Sequence, residues 1–168
     1  MGNLINTQKE KRTQSILGSF GDTLIDGIVD ILKNPVLEKA HEISLESGVG
    51  IVFNEKNELL LGLAIADDER DGKWTFPGGG IDDKENCLSA AIRETYEETG
   101  LVSVPISNMI FIHPAKPMVG FCLLRVKSEH EIVPNKEFKE LKWVSLTGLP
   151  VDLLVLNREI LSIINTKL

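Results

Sequence analysis

Seven residues at fixed spacing between positions 79 and 100 constrain this chain more than any other feature of its sequence. They are Gly79, Glu85, Arg93, Glu94, Glu97, Glu98 and Gly100. At a usage of about 7%, which is typical of glycine, chance would match all seven positions in about one window in 10⁸. The spacing therefore indicates a functional element and not a stretch of ordinary surface charge.

The spacing predicts a helix over 86–99 that carries three acids on one face. At about 100° per residue, Glu94 and Glu98 lie one turn apart, and Glu97 lies beside them. Like charges at this separation repel each other, at a cost of roughly a few tenths of a kcal/mol. A bound cation best explains why they are kept together. Because all its ligands would be oxygen atoms, we expect Mg²⁺ or Mn²⁺.

The ends and the buried side of this helix also follow from the sequence. Asn86 is the expected N-cap, with Asp83 as the alternative, and Gly100 is the expected left-handed residue after the last turn. The side opposite the acids is expected to be buried, and it consists of Leu88, Ala91, Ile92 and Thr95.

A strand is predicted to run from Trp74 into a tight loop at Gly78, Gly79 and Gly80. Because glycine has no Cβ, the backbone amides and carbonyls of this loop can approach a metal ion or a phosphate. Trp74 either packs in the core or lines the substrate pocket.

This pattern resembles the box of the Nudix hydrolase family, including the frequent lead-in Trp74-x-Phe76-Pro77-Gly78. One position departs from the family pattern, because Thr95 stands where an aliphatic residue is usual. Threonine keeps a β-branched shape, so we expect little disturbance. The resemblance extends over about residues 48–166.

The resemblance implies hydrolysis of a nucleoside diphosphate linked to another group, with Mg²⁺ or Mn²⁺ as cofactor. It implies that Glu94, Glu97 and Glu98 bind the metal together with the carbonyl of Gly79. Divalent ions there would neutralise the pyrophosphate and lower the pKa of a bound water.

Other residues of the implied site follow from the same resemblance. Arg93 would pair with Glu85 and orient the glutamates, so the implied catalytic set is Glu85, Arg93, Glu94 and Glu97. Glu137 would complete the metal or base set, or else lie in a solvated loop. Trp74, Gly78 and Gly80 are the candidate substrate contacts, and the identity of the general base stays open.

The order of apolar runs predicts an α/β fold, an α/β/α sandwich around a mixed sheet. Runs at 48–54 and 59–66 flank polar turn residues and predict a hairpin. Further strands are predicted at 73–77, 101–104, 107–113 and 118–127, and a C-terminal helix is predicted at 152–166.

The first 47 residues are predicted to form an N-terminal helical extension to the Nudix hydrolase domain of residues 48–168. Apolar residues recur there at helical spacing from Leu17 to Ile31, and Asn34-Pro35 ends that helix. We expect the apolar stripe to pack on the catalytic domain. A homodimer contact is the alternative, and membrane binding is disfavoured because the polar face is acidic.

Composition narrows the partners and the compartment. A net charge of −7 disfavours general binding to nucleic acids. The resemblance implies a small nucleotide-type diphosphate as the partner. Cys87 and Cys122 are expected to be buried free thiols. No apolar run is long enough for a membrane span and no signal sequence opens the chain, so we expect a cytoplasmic protein.

Two alternatives to a small-molecule hydrolase stay open. The first is a decapping-type hydrolase that acts on an RNA 5′ end, which would require a local basic groove. The second is a Nudix-like sensor that binds nucleotides without hydrolysing them, which the complete set of glutamates disfavours.

Overall fold

The computed structural model describes residues 44–127 and 132–166, which form one mixed sheet with a helix against each face. The strands are β1 (Ser47–Phe53), β2 (Leu59–Ala64), β3 (Trp74–Thr75), β4 (Gly78–Gly80), β5 (Ser103–His113), β6 (Lys116–Val126) and β7 (Phe138–Val144). The helices are α1 (Cys87–Thr99) and α2 (Val155–Thr166). Neither helix in this part of the chain has the length and hydrophobicity that crossing a membrane requires.

The sheet is built around a parallel pair of strands. Its central order is β3-β2-β1-β6-β5, with β4 beside β1 and β7 beside β2. β1 and β6 are parallel, and the other pairs are antiparallel. A parallel pair needs a long crossover connection, and the segment between β1 and β6 contains α1.

The central strands are buried on both faces, which explains why they read as continuous apolar runs. One face carries, together with α2, the side chains of Ile51, Leu61, Phe121 and Ile160. The other face carries, together with α1, the side chains of Val52, Leu60, Leu124 and Ala91. Successive residues of a strand thus supply two separate cores. The predicted α/β/α sandwich is confirmed.

The prediction of a tight loop at the three glycines was wrong, because Gly78–Gly80 forms strand β4. It pairs antiparallel with Ser47–Val49 of β1. A Cβ on Gly78 would lie 2.6 Å from the carbonyl oxygen of Gly48, so only glycine permits this approach. The absence of a side chain at Gly78 thus allows β4 to pair with β1, in addition to leaving its backbone open to a ligand.

Other boundaries differ in smaller ways. The two strands predicted at 101–104 and 107–113 are one strand, β5, whose register against β6 shifts between Pro105 and Ile110. The predicted hairpin is present as β1 and β2. The C-terminal helix begins at Val155, later than predicted. The extension predicted for residues 1–47 lies almost entirely outside the described residues.

The two cysteines are free and buried, as predicted. Cys87 is the first residue of α1 and Cys122 lies in β6, with their Sγ atoms 3.7 Å apart. They contribute to the core between α1 and the sheet.

Candidate active site

The ends of α1 are fixed by the residues predicted for them. The Asn86 side chain accepts a hydrogen bond from the amide of Ser89 at 2.9 Å. At the other end Gly100 has φ of 73°, and its amide donates to the carbonyl of Tyr96. These caps satisfy backbone groups that have no partner within the helix. The acidic segment is thereby held in a defined register.

The buried side of α1 is rotated from the predicted one. Its centre is Ala91, Thr95 and Glu98, whereas Leu88 and Ile92 are half-buried. The rotation separates Glu98 from the other acids, because Glu98 points toward the sheet. The acidic face therefore consists of one buried carboxylate and two that are nearer the surface.

Thr95 is fully buried and its hydroxyl has a partner. Oγ1 donates to the carbonyl of Ala91 at 2.7 Å, within the same helix. A Cβ on Gly50 of β1 would lie 2.6 Å from this oxygen, so α1 and the sheet are in close contact here. The departure from the family pattern is thus accommodated locally.

Strand β4 touches two of the glutamates directly. The amide of Gly78 donates to Glu98 Oε2 at 2.9 Å. A Cβ on Gly79 would lie 2.5 Å from the carboxyl carbon of Glu94, so that carboxyl group packs on bare backbone. The glycines and the acids therefore form one surface, although they lie on different elements.

Arg93 is the centre of an ion-pair network on the outer part of this surface. Its Nη2 donates to Glu85 Oε2 at 2.9 Å and to the carbonyl of Gly80 at 2.8 Å. Its Nη1 donates to Glu94 Oε1 at 2.8 Å and to Glu97 Oε2 at 3.2 Å. The guanidinium thus ties the loop before α1, strand β4 and two acids of α1 together.

The charges in this network stabilise one another. Glu85 and then Glu94 raise the pKa of Arg93 above its ordinary value through their hydrogen bonds. The Arg93 guanidinium in turn lowers the pKa of Glu85. The protein itself therefore supplies the positive charge for this group of acids.

Glu98 is in a different electrostatic situation. It is 4% exposed, and burial is the largest of the causes that raise its pKa to about 9. A hydrogen bond with the side chain of Glu137 and the charge of Glu137 raise it further, against the opposing effect of the Gly78 amide. At neutral pH, Glu98 therefore binds a proton unless another cation takes the proton's place.

Glu137 reaches this position from a loop that is remote in sequence. Its amide donates to Asn135 Oδ1 at 2.7 Å, and its carbonyl accepts from the amide of Ile65. The Asn135 side chain also donates to the carbonyl of Glu97 at 3.3 Å. The loop before β7 is thus bonded both to the end of α1 and to the segment after β2.

Carboxylate oxygens that could hold a divalent cation lie here, but they do not converge on one point. Within residues 44–127 and 132–166, no three His, Cys, Asp or Glu side chains are arranged as a complete metal site. Arg93 holds Glu94 and Glu97, while Glu98 and Glu137 bond to each other. Two adjacent carboxylates over a Cβ-free strand are a donor set that fits a hard divalent ion.

A cavity of about 390 Å³ lies over this surface. Its acidic end is formed by Gly78, Gly79, Gly80, Glu98 and Glu137. Its apolar wall includes Val49, Phe76, Val119, Phe121, Phe138, Leu154 and Leu156. Its exposed part carries Asp68, Glu69, Arg70 and Lys116. Such a combination of an apolar wall with a few polar groups is typical of a site for a small molecule.

A family model described as the NUDIX domain matches residues 45–162, which is most of the chain. The chain belongs to the Nudix family. A protein of Bartonella tribocorum named RNA pyrophosphohydrolase is 35% identical over 131 residues, which cover 60% of this chain and 75% of that protein. The Escherichia coli K12 protein named 8-oxo-dGTP diphosphatase is 32% identical over 111 residues, which cover 64% and 85% of the two chains.

Solved structures agree with this membership. The MutT protein from Methanosarcina mazei Go1 aligns with a TM-score of 0.58 and 25% identity, over 75% of this chain and 96% of that one. An ADP-ribose pyrophosphatase from Streptococcus suis aligns with a TM-score of 0.55 and 26% identity, over 70% and 87%. The chain is a Nudix hydrolase, and pyrophosphate-bond hydrolysis is its class of reaction.

The structure brings most of the predicted site residues of this Nudix hydrolase together, with one clear difference. Trp74 is 6% exposed and packs in the core, with Lys142 Nζ lying 3.6 Å from the centre of its ring. It is not part of the cavity wall, whereas Gly78 and Gly80 are. Of the two interpretations of Trp74, the structure favours the core.

Several polar residues of the cavity were missed in the sequence, among them Arg70 and Asn157. Arg70 lies in a polar segment that reads only as a solvent loop. Asn157 is buried at the start of α2, and its side-chain amide donates to Thr75 Oγ1 at 2.9 Å. A polar residue within an apolar helical stripe is the signal that could have identified Asn157.

Proposed function

We propose that this Nudix hydrolase cleaves the pyrophosphate bond of a nucleoside diphosphate linked to another group, with Mg²⁺ or Mn²⁺ as its cofactor. The observation that carries the proposal is the buried Glu98 bonded to strand β4, at the acidic end of a cavity that Glu137 also lines. Burying the Glu98 carboxylate with a second acid beside it is unfavourable unless a proton or a cation is bound there. A divalent cation is the occupant that the reaction class requires.

Each residue of the site has a proposed role. Glu94, Glu97, Glu98 and Glu137 would hold the cation, with the carbonyl of Gly79 as a further ligand. When bound, the cation supplies charge neutralisation of the pyrophosphate and a bound water of lowered pKa. Arg93, fixed by Glu85, holds Glu94 and Glu97 in place for this purpose.

The proton from the attacking water is assigned to this group of carboxylates as a whole. Glu97 is the most accessible of the three helix acids, with its side chain 55% exposed. It can therefore exchange protons with solvent more readily than Glu98.

The experiment that tests the proposal is a hydrolysis panel in the presence of Mg²⁺. It includes ADP-ribose, dinucleoside polyphosphates, nucleotide sugars, NADH, oxidised dNTPs and capped RNA, with products identified by mass spectrometry. We expect cleavage within a diphosphate bridge of at least one class, abolished by EDTA and restored by Mg²⁺ or Mn²⁺. Tight binding without cleavage across the panel would favour the nucleotide sensor instead.

An RNA 5′ end is the second candidate substrate. The relatives named RNA pyrophosphohydrolase favour it, and so do Arg70 and Lys116 in the exposed part of the cavity. The net charge of −7 opposes it. Binding of a 5′-triphosphorylated oligonucleotide that weakens steeply with salt would favour this candidate, because contacts with backbone phosphates are salt-dependent.

A cytoplasmic location stays a prediction. The N-terminal extension is predicted to pack on the catalytic domain or, as the alternative, to form a homodimer contact. Sedimentation of the full chain and of a chain that lacks residues 1–43 would test the homodimer contact.

A further inference from the structure

The segment between β2 and β3 places a cation in the wall of the cavity. Arg70 lies in this segment, at positions 65–73, and it shares the cavity with Glu98 and Glu137. The segment is tied down by its backbone. The amide of Gly72 donates to the carbonyl of Ala64, and the amide of Lys73 donates to the carbonyl of Arg70. Arg70 is therefore presented from an ordered turn.

The Arg70 guanidinium is oriented by Asp68. Its Nε lies 2.9 Å from both carboxyl oxygens of Asp68, and the Arg70 amide also donates to Asp68 Oδ1 at 2.9 Å. Within the described part of the chain, the two Nη groups make no hydrogen bond. Asp68 thus fixes one edge of the guanidinium and leaves the other edge open, and such an edge suits two oxygens of a phosphate.

The open edge lies within electrostatic reach of the acidic end. Asp68 is the first cause that raises the pKa of Arg70, and the charges of Glu98 and Glu137 add to it. Arg70 is too exposed to be a core ion pair, since its side chain is 50% exposed. Its open edge is instead positioned to bind an anion near Glu98 and Glu137.

Lys116 provides a second cation in the same wall. It begins β6, and its Nζ lies 3.7 Å from Glu69 Oε1, in the same segment as Arg70. This pair is loose and more than half exposed, so it costs little to rearrange. Among the described residues that line the cavity, Arg70 and Lys116 are the ones with a permanent positive charge.

We infer that Arg70, oriented by Asp68, binds a phosphate group next to the scissile bond, with Lys116 as a second contact, and that this selects substrates with a 5′-triphosphate group. The inference rests on the proposed function, because the scissile bond is placed at Glu98 and Glu137. A two-phosphate bridge between two sugars has both phosphates at the acidic end. A triphosphate has a third, more highly charged phosphate, which requires cations from the protein.

The test is equilibrium binding by calorimetry, with the full chain in Mg²⁺. One ligand is a nucleoside triphosphate with methylene groups in place of its bridging oxygens, and the other is the corresponding methylene analogue of ADP-ribose. The variants are Arg70→Ala, Arg70→Lys and Asp68→Asn. Lys127→Ala, an exposed residue outside the cavity, is the charge-matched control.

We expect Arg70→Ala to weaken triphosphate binding about 10- to 100-fold, the loss typical of a charged hydrogen bond, and to change binding of the ADP-ribose analogue less than about 3-fold. Arg70→Lys should recover part of the loss. Asp68→Asn acts through Arg70. In a hydrolysis assay with the unmodified nucleoside triphosphate, it should raise KM and leave kcat nearly unchanged. Lys127→Ala should behave like the wild type.

A further experiment distinguishes two sources of the triphosphate group, an RNA 5′ end and a free nucleotide. A 5′-triphosphorylated oligoribonucleotide is compared with the free nucleotide, and the tighter wild-type ligand identifies the source. Arg70→Ala should weaken both, because the recognised group is the same.

The outcomes separate the inference from the proposed function. Equal binding of the triphosphate by wild type and Arg70→Ala, equal weakening of both ligands, or no triphosphate binding by the wild type would overturn the inference. Normal hydrolysis by Arg70→Ala would leave the proposed function intact. Selective binding through Arg70 with no hydrolysis of any substrate would overturn the function and leave the inference standing.

Discussion

The acids of the candidate active site lie in two regions, and the negative charge is accommodated differently in each. In the outer region, Glu85, Glu94 and Glu97 surround Arg93, and each lies within 3.2 Å of its nearest guanidinium nitrogen. In the inner region, Glu98 and Glu137 lie against each other, and burial raises the pKa of Glu98 to about 9.

The difference shows which charges the protein neutralises for itself. Arg93 offsets one of the three negative charges of the outer acids and is paired with all three, so it can hold this region together as a frame. The inner acids have no such arginine bonded to them in the described part of the chain. Gly78 contributes only one amide hydrogen bond to Glu98, so a bound ligand would have to supply the positive charge. We infer that the inner pair is where a divalent cation binds first.

The largest effect is expected from the inner region. Glu98→Gln should lower kcat by about 10³-fold with the fold retained, because it removes a buried ligand for the ion that stabilises the transition state. Glu97→Gln should lower kcat by about 10²-fold, since its side chain is more exposed and already paired with Arg93. Steady-state kinetics and circular dichroism provide the measurements.

Glu140→Gln is the matched control for both variants. Glu140 lies on β7, is exposed and does not line the cavity. Turnover at the wild-type rate in both Glu97→Gln and Glu98→Gln would remove the basis for a metal-binding role of these glutamates.

The outer region should give a smaller effect of a different kind. Arg93→Lys keeps the charge, but its three N–H groups on one nitrogen cannot replace the planar guanidinium that bonds to four partners. We expect kcat to fall about 10- to 100-fold, as is usual when residues that orient metal ligands are changed. A loss as large as that of Glu98→Gln would mean that the two regions are not distinct.

The pH dependence of stability should separate the regions without any substrate. Glu98 has an ordinary pKa of 4.5 when unfolded and about 9 when folded, so the folded state binds more protons between these values. In EDTA, the contribution of Glu98 to the free energy of unfolding is therefore fully present below about pH 4.5. It is lost as the pH rises toward 9. Urea unfolding at pH 6 and pH 8.5 should show this loss.

Glu98→Gln provides the control for that measurement. Glutamine does not titrate, so the decrease between pH 6 and pH 8.5 should become shallower in the variant. Parallel curves for the two proteins would show that Glu98 titrates normally and would contradict its assignment to the inner region.

The smallest effect is expected at Thr95, which lies on the buried side of α1 between the two regions. Thr95→Val keeps the shape, and the backbone amide of residue 95 still bonds to Ala91 in the helix. We expect the free energy of unfolding to change by less than about 1 kcal/mol. Thermal unfolding would check this, and a larger loss would mean that the Thr95 hydroxyl stabilises the contact between α1 and β1.

Local features of the site could be predicted from the sequence because they depend on neighbours in the chain. Asn86 and Gly100 end α1 as their chemistry dictates. The contact of Arg93 with Glu85 lies within one loop and the first turns of a helix. Strands β1, β2 and β6 followed from runs of apolar residues in the same way.

Features that depend on distant contacts could not be predicted in this way. Helical periodicity placed Glu97 and Glu98 together, but only packing on the sheet decides which one is buried. Arg70 joins the cavity from a segment that reads as a polar loop, and Glu137 was expected there only from the family resemblance. The strand at Gly78–Gly80 has no β-propensity in its residues and forms because β1 lies beside it.

The central claim is that Glu98 and Glu137 bind a divalent cation as a pair, and calorimetric titration of Mn²⁺ into the substrate-free full chain tests it most directly. The account predicts binding to the wild type and to Glu140→Gln, and at least about 10- to 100-fold weaker binding to Glu98→Gln combined with Glu137→Gln. Equal affinity in the wild type and the double variant, both folded, would contradict it.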